Sequence, residues 1–268
     1  MIQSPPESPL ARCLLIRYAF SALGNDPDKT LLNFIKGCVK YSKSPMVMFE
    51  AAKALCHVPN VAEADISLSM NVLQEFINSP RAVQKFAAVR ALSSIVTRFP
   101  NLLTPSCTVD LEHLIADPNR NIATLAITTL LKTAAEYSIE RLLNSIADFM
   151  AEIPDELKVV LIDAIRSVCK KFPKKYESLV GFLAIALREE GGFKYKNKII
   201  DCLLILMQDL ERARDMGLDN LCEFIEDCEY PLLSVRILHL IGELGPQFVL
   251  DLFCIVSILF FSFFFFLS

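Results

Sequence analysis

The stretch from Ala116 to Ala134, ADPNRNIATLAITTLLKTA, predicts the element on which the fold depends. Asp117 is a favourable N-cap because its carboxylate accepts hydrogen bonds from first-turn amides, and Pro118 suits the first helical position. Two neighbouring apolar stripes follow at helical spacing: Ile122, Leu125, Ala126, Thr129 and Leu130, and then Ala123, Ile127, Leu131 and Ala134. A helix that is apolar on two sides is normally buried between neighbours. The stretch therefore predicts the inner helix of a stack.

Similar helix openings recur along the chain, at Ser8-Pro9, Ser44-Pro45, Ser79-Pro80, Pro154, Gly191-Gly192 and Pro231. With Asp117-Pro118 included, successive openings fall about 35–39 residues apart, which is typical of two-helix solenoid repeats. Shorter amphipathic segments lie between them, at 64–78, 109–116, 138–151, 175–189 and 216–227. No strand alternation persists, and a helix pair that cannot bury its own apolar face must stack on its neighbours. The sequence predicts an all-α, HEAT/armadillo-like right-handed α-solenoid of about six helix pairs with one leading helix.

The composition limits the classes of partner and cofactor. Hydrophobic residues make up 53% of the chain, and the formal net charge of −4 predicts no basic surface for nucleic acid. The nine cysteines are an odd number scattered singly on apolar helical faces, which indicates reduced core thiols. Cys222 and Cys228 are the closest pair, but no second pair or nearby histidine completes a zinc site. We expect neither metal nor cofactor.

No arrangement of residues predicts catalysis. The three histidines, His57, His113 and His239, stand apart, without a nucleophile or carboxylate whose proximity the sequence supports. Gly191-Gly192 follows no strand and lacks the phosphate-loop pattern, so we interpret it as a helix C-cap followed by a tight turn. We expect a protein that is not an enzyme.

Three segments carry a family resemblance: DPNRNIATLAITTLLKT at 117–133, LREEGGFKYKNKIIDC at 187–202 and LCEFIEDCEY at 221–230. They resemble the gamma subunits of the coatomer (COPI) coat, and the similarity runs in matching order from about Ser8 to Pro246. The adaptin subunits of clathrin adaptors share the solenoid but not these three segments. The resemblance implies part of the family's N-terminal, adaptin-like trunk, with the first repeats and the regions after the trunk lying outside this sequence.

The resemblance implies the domain organisation and the function. Residues 8–246 would form the solenoid, after a disordered N-terminus at 1–7. The protein would be a structural subunit of the coat in Golgi-to-ER and intra-Golgi vesicle transport. Its partners would be a zeta-type small subunit, a beta-type large subunit and a GTP-bound Arf-family GTPase, and it would lie in the cytoplasm, peripherally on Golgi membranes and vesicle coats. A clathrin-adaptor-type large chain is the alternative within the same class.

Three basic residues on one predicted inner helix, Arg81, Lys85 and Arg90, offer the main hint of a binding surface. Arg81 and Lys85 are about one helical turn apart and share a face. One hypothesis is that some of these residues, or of a second basic cluster at a turn, contact the partner GTPase or anionic lipid headgroups. The second cluster consists of Lys170, Lys171, Lys174 and Lys175. The favoured alternative is an ordinary solvated edge that also makes polar contacts between repeats.

The resemblance stops at the apolar, phenylalanine-rich tail, residues 247–268. From Leu252 onward the chain is uncharged for about 17 residues, the short limit of a membrane span. Leu252, Phe260 and Phe264 would then face lipid, and the protein would be a tail-anchored membrane protein with a cytosolic helical-repeat domain. However, no Lys or Arg follows Arg236, and the run is of low complexity. An aberrant extension that does not belong to the family is therefore the favoured interpretation.

Overall fold

The computed structural model describes residues 6–25, 29–58, 62–99 and 103–244. These ranges contain thirteen α-helices and no strand. The helices are α1 Pro9–Ala22, α2 Thr30–Tyr41, α3 Pro45–Leu55, α4 Glu63–Ile77, α5 Ala82–Arg98, α6 Pro105–His113, α7 Arg120–Thr133, α8 Ile139–Met150, α9 Asp155–Lys171, α10 Tyr176–Arg188, α11 Phe193–Asp209, α12 Glu211–Glu226 and α13 Pro231–Leu244. One leading helix precedes six pairs. The predicted all-α, HEAT/armadillo-like solenoid is confirmed.

The chain divides into two compact units, Met1–Thr133 and Ala134–Ser268. In the first unit, α1 packs against α3 and α5 packs against α7, while α2, α4 and α6 pack in succession. Apolar side chains such as Ile16, Leu73 and Leu92 are fully buried between the helices. In the second unit, α9 packs against α11, while α8, α10 and α12 pack in succession. Each unit thus has the helix-on-helix core expected of stacked repeats.

Helix α7 is as deeply buried as its two apolar stripes predict, because nine of its 14 residues are buried. Its predicted start is wrong. Asp117 Oδ1 accepts from the Asn119 amide at 2.9 Å, and the Asn119 carbonyl accepts from the Ile122 amide at 2.9 Å. The Asp117 carboxylate therefore closes a local Asx turn, and α7 begins at Arg120.

Two even-numbered helices begin earlier than the sequence predicts. The predicted segment at 109–116 is α6, which begins at Pro105 because Thr104 caps it. The Thr104 side-chain oxygen accepts from the Cys107 amide at 3.3 Å. The predicted segment at 216–227 is α12, which begins at Glu211, with one intervening residue after α11.

Gly191 and Gly192 are not a left-handed helix cap, because no described glycine has a positive φ. A Cβ atom at Gly191 would lie 2.3 Å from Cδ1 of the fully buried Tyr195 ring. The Gly192 amide donates to Asp155 Oδ2 at 2.6 Å. The earlier interpretation as a C-cap is therefore wrong: Gly191 gives room to a neighbouring ring, and Gly192 bonds to the preceding repeat.

None of the helices in the described ranges is both long enough and apolar enough to cross a membrane. The tail at 247–268, with Leu252, Phe260 and Phe264, lies outside the described residues, as do residues 1–5 of the predicted disordered N-terminus. The predicted domain limits and the membrane contacts of the tail stay predictions.

Candidate protein-binding surface

Polar contacts between neighbouring repeats hold the helices of the first unit in register. Arg17 Nε lies 2.7 Å from Glu50 Oε1, and these residues are 33 positions apart in the sequence. Lys85 Nζ lies 2.8 Å from Asp117 Oδ2, at a separation of 32 positions. Both carboxylate residues are buried, and the Lys85–Asp117 pair is the less solvated of the two because 63% of the Arg17 side chain is exposed. The separations of 33 and 32 positions are slightly shorter than the about 35–39 residues between helix openings, and each pair joins two adjacent repeats.

The second unit repeats one such contact. Lys198 Nζ on α11 lies 2.8 Å from Asp163 Oδ1 on α9. Arg236 on α13 pairs with Asp201 on α11 at 2.6 Å. Both pairs are 35 positions apart, so the same cation–carboxylate pair links two successive steps of this helix layer. The charges therefore follow the repeat and stabilise its register.

The structure separates the three basic residues that the sequence groups together. Lys85 is directed to the neighbouring repeat, where it bonds Asp117, and only 24% of its side chain is exposed. Arg81 is the N-cap residue of α5 and is exposed, and Arg90 is exposed in the middle of the helix. Neither arginine has an ion-pair partner within the described part of the chain. Arg90 lies five residues after Lys85, a rotation of about 140° around the helix, so the two point to different sides.

Two exposed apolar residues accompany these arginines and were missed by the sequence analysis. Val83 is 81% exposed and Phe86 is 37% exposed. With Arg90 they are spaced i, i+3 and i+7, so all three share the outward side of α5. Helical spacing in the sequence could have identified Val83 and Phe86 as exposed, because both fall outside the buried stripe that contains Ala88 and Leu92. We call Val83, Phe86 and Arg90, together with Arg81, which is exposed at the N-cap position at the start of the helix, the α5 surface.

Several titratable groups of the described residues are engaged in structural contacts. Burial would raise the pKa of Glu50, but the cations of Arg17 and Lys53 outweigh that effect and lower it. Burial raises the pKa of Cys56 and Cys107 to about 12, so these thiols stay protonated at neutral pH. All eight described cysteines are free. No group of three or more potential metal ligands lies within the described ranges.

The family match covers most of the chain: the adaptin N-terminal region matches residues 5–261. This chain belongs to the adaptin N-terminal region family. It is 48% identical over 246 residues to the coatomer subunit gamma of Arabidopsis thaliana and 46% identical over 244 residues to the coatomer subunit gamma-1 of Homo sapiens. In each case the alignment covers 90% of this chain and 28% of the relative, so the chain spans little more than a quarter of their length.

The solved structures that this adaptin-family chain resembles support the fold alone. The karyopherin Kap121p bound to Nup53p matches with a TM-score of 0.59 at 13% identity, over 81% of this chain and 23% of the karyopherin. Kap121p bound to Pho4p matches with a TM-score of 0.58 at the same identity and coverage. At this identity the similarity identifies helical-repeat architecture and carries no information on partners.

Proposed function

We propose that this chain acts as part of a structural subunit of the coatomer (COPI) coat. The observation that carries the proposal is its 46–48% identity to coatomer gamma subunits of a plant and a mammal over 90% of the chain. The protein would be a scaffold without enzymatic activity in Golgi-to-ER and intra-Golgi transport. It would lie in the cytoplasm and peripherally on Golgi membranes, beside a zeta-type small subunit and a beta-type large subunit.

The two alternative functions are less well supported. A clathrin-adaptor-type large chain would share the family but not the high identity to coatomer gamma subunits. A tail-anchored membrane protein depends wholly on residues 247–268, and neither the fold nor the relatives supply an observation in its favour. The coat subunit is therefore the function that the observations favour.

The α5 surface is the proposed contact for a GTP-bound Arf-family GTPase. Exposed aromatic and arginine side chains contribute a large share of binding energy in protein interfaces. Phe86 and Val83 offer an apolar centre, and Arg81 and Arg90 offer guanidinium groups that form bidentate bonds with carboxylates. Lys85 would act indirectly, since its bond to Asp117 holds α5 against the next repeat.

The test is the affinity of the full-length chain for a GTP-locked Arf-family GTPase. The double variant Arg81→Glu, Arg90→Glu should bind at least about tenfold more weakly, because each reversed charge replaces an attraction by a repulsion. The matched control is Lys170→Glu with Lys174→Glu, two exposed lysines in the second unit, which should bind like the unaltered chain. If the α5 double variant has the native circular dichroism spectrum and unchanged affinity, the α5 surface is not the contact.

A further inference from the structure

An open groove lies between two helices of the second unit, α8 and α10. It encloses about 360 Å³ and has mainly apolar walls, formed by side chains such as Leu143, Ala147 and Phe182. Ile185, on the same wall, is 62% exposed although it is apolar. Gly181 lies in the wall as well, and a Cβ atom built there would meet no other atom within 4 Å. The groove therefore has room for a side chain that the described residues of the chain do not supply.

The two ends of the groove differ in charge. At one end, the Glu140 carboxylate accepts from Lys175 Nζ at 3.0 Å and from the Ser178 hydroxyl at 3.3 Å. Met150, the last residue of α8, and Glu189, which follows α10, lie at the other end of the groove. The two helices therefore run in the same direction. The C-termini of both helices, each with a partial negative charge, therefore lie at this end of the groove, as does Glu189. No described residue donates to that carboxylate, so this end favours a cation.

A free side-chain carboxamide on the groove favours binding of an extended peptide over binding of a helix. Asn144 is exposed between the two ends, and its side chain has no hydrogen-bond partner among the described residues. A carboxamide both donates and accepts, which matches the free N–H and C=O of an extended backbone. A helix has already satisfied its own backbone groups. From Glu140 to Met150 the groove extends about 15 Å along α8, the length of about five extended residues.

We propose that the α8–α10 groove binds an extended peptide segment of another protein, with an apolar side chain over Gly181 and a Lys or Arg beside Glu189. Alternate residues of an extended chain point to the same side. The apolar residues and the cation would therefore occupy every second position. This site lies in the second unit and does not depend on the α5 surface or on the coat function.

The test uses the full-length chain and two fluorescein-labelled peptides, Leu-Ser-Phe-Ser-Lys and the reversed Lys-Ser-Phe-Ser-Leu, in a fluorescence anisotropy titration. We expect only one of the two peptides to bind. Replacing its Lys by Glu should weaken binding at least tenfold, and replacing Leu and Phe by Ser should abolish it. Absence of binding of both peptides at millimolar concentration would overturn the proposal.

Two protein variants locate the site. Gly181→Leu should fill the groove and weaken binding at least tenfold, whereas Gly37→Leu, at another helical glycine with open space, should not. Glu189→Lys should reduce binding of the Lys peptide and improve binding of the corresponding Glu peptide, whereas Glu190→Lys, at the adjacent exposed residue, should do neither. Unchanged binding to a folded Gly181→Leu or to Glu189→Lys would overturn the proposal. GTPase binding, measured in parallel, should be unchanged in all four variants.

Discussion

Asp117 shows how one residue serves two structural contacts. Oδ1 closes the turn before α7, and Oδ2 accepts from Lys85 of the preceding repeat at 2.8 Å. Burial alone would raise the pKa of Asp117, but the Lys85 ammonium and the Asn119 amide outweigh it, so the pKa is lowered. The folded protein therefore favours the ionised form. The resulting stabilisation is present above the unfolded-state pKa of about 3.9 and is lost as the pH falls through the folded-state pKa.

Asp117→Asn is expected to destabilise the chain by about 1–3 kcal/mol at pH 7, because it leaves the half-buried Lys85 without its carboxylate. The difference from the unaltered chain should shrink at pH 3, because Asp117 then binds a proton more readily in the unfolded chain, where its pKa is about 3.9, than in the folded chain. Urea unfolding at both pH values, followed by circular dichroism, measures the effect. Asp163→Asn is the control and should cost less than about 1 kcal/mol, since its pair with Lys198 is partly solvated. An Asp117→Asn effect that is equal at both pH values would contradict this explanation.

Gly191 and Gly37 are expected to respond in opposite directions to alanine. At Gly191 the new Cβ atom meets the body of the fully buried Tyr195 ring, so Gly191→Ala should cost about 1–3 kcal/mol. At Gly37, inside α2, the Cβ atom meets nothing, so Gly37→Ala should stabilise by about 0.5–1 kcal/mol through helix propensity. Thermal unfolding of both variants tests this. If Gly191→Ala leaves the thermal stability unchanged, the Tyr195 ring moves aside freely and this explanation is wrong.

At the scale of the element, α6 depends on the cap at its start. Thr104→Ala should destabilise α6 by about 0.5–2 kcal/mol, because the Cys107 amide loses its acceptor. Hydrogen exchange of the α6 amides measures this local effect. Thr108→Ala is the control within the same helix: its hydroxyl only donates back to the Thr104 carbonyl, and alanine compensates by its helix propensity. Equal exchange rates in the two variants would exclude a capping role for Thr104.

A proline in the sequence predicts the start of several helices, although α5 and α7 begin two residues after Pro80 and Pro118. Helices α3 and α13 begin at Pro45 and Pro231, and α9 begins directly after Pro154. The early start of α12 was missed because only Leu210, without glycine or proline, separates it from α11. The capping pair Thr104-Pro105 was present in the sequence but was overlooked.

The candidate surface was predictable only in part. Periodicity indicates which side of a helix faces outward, and it places Arg90 with Val83 and Phe86. The contact from Lys85 to Asp117, 32 positions away, depends on the packing of two repeats and on side-chain rotamers. The spacing of residues along the chain predicts neither the packing nor the rotamers. A cation on a predicted inner helix is therefore equally consistent with a partner contact and with a contact between repeats.

At the scale of the molecule, each of the two compact units is built by repetition. The Lys198–Asp163 and Arg236–Asp201 pairs of the second unit show the same contact in successive repeats, each pair spanning 35 positions. In such arrays stability is approximately the sum of the repeats and their nearest-neighbour interfaces. Each unit therefore presents rows of stacked helices, which suit the proposed scaffold that binds other proteins.

The most direct test of the scaffold function is co-assembly with coat subunits. The full-length chain would be mixed with a zeta-type subunit, a beta-type subunit or a GTP-locked Arf-family GTPase and analysed by size-exclusion chromatography with light scattering. The account predicts a complex of defined stoichiometry with at least one of the three. A chain that is helical by circular dichroism and elutes alone in all three mixtures would contradict it.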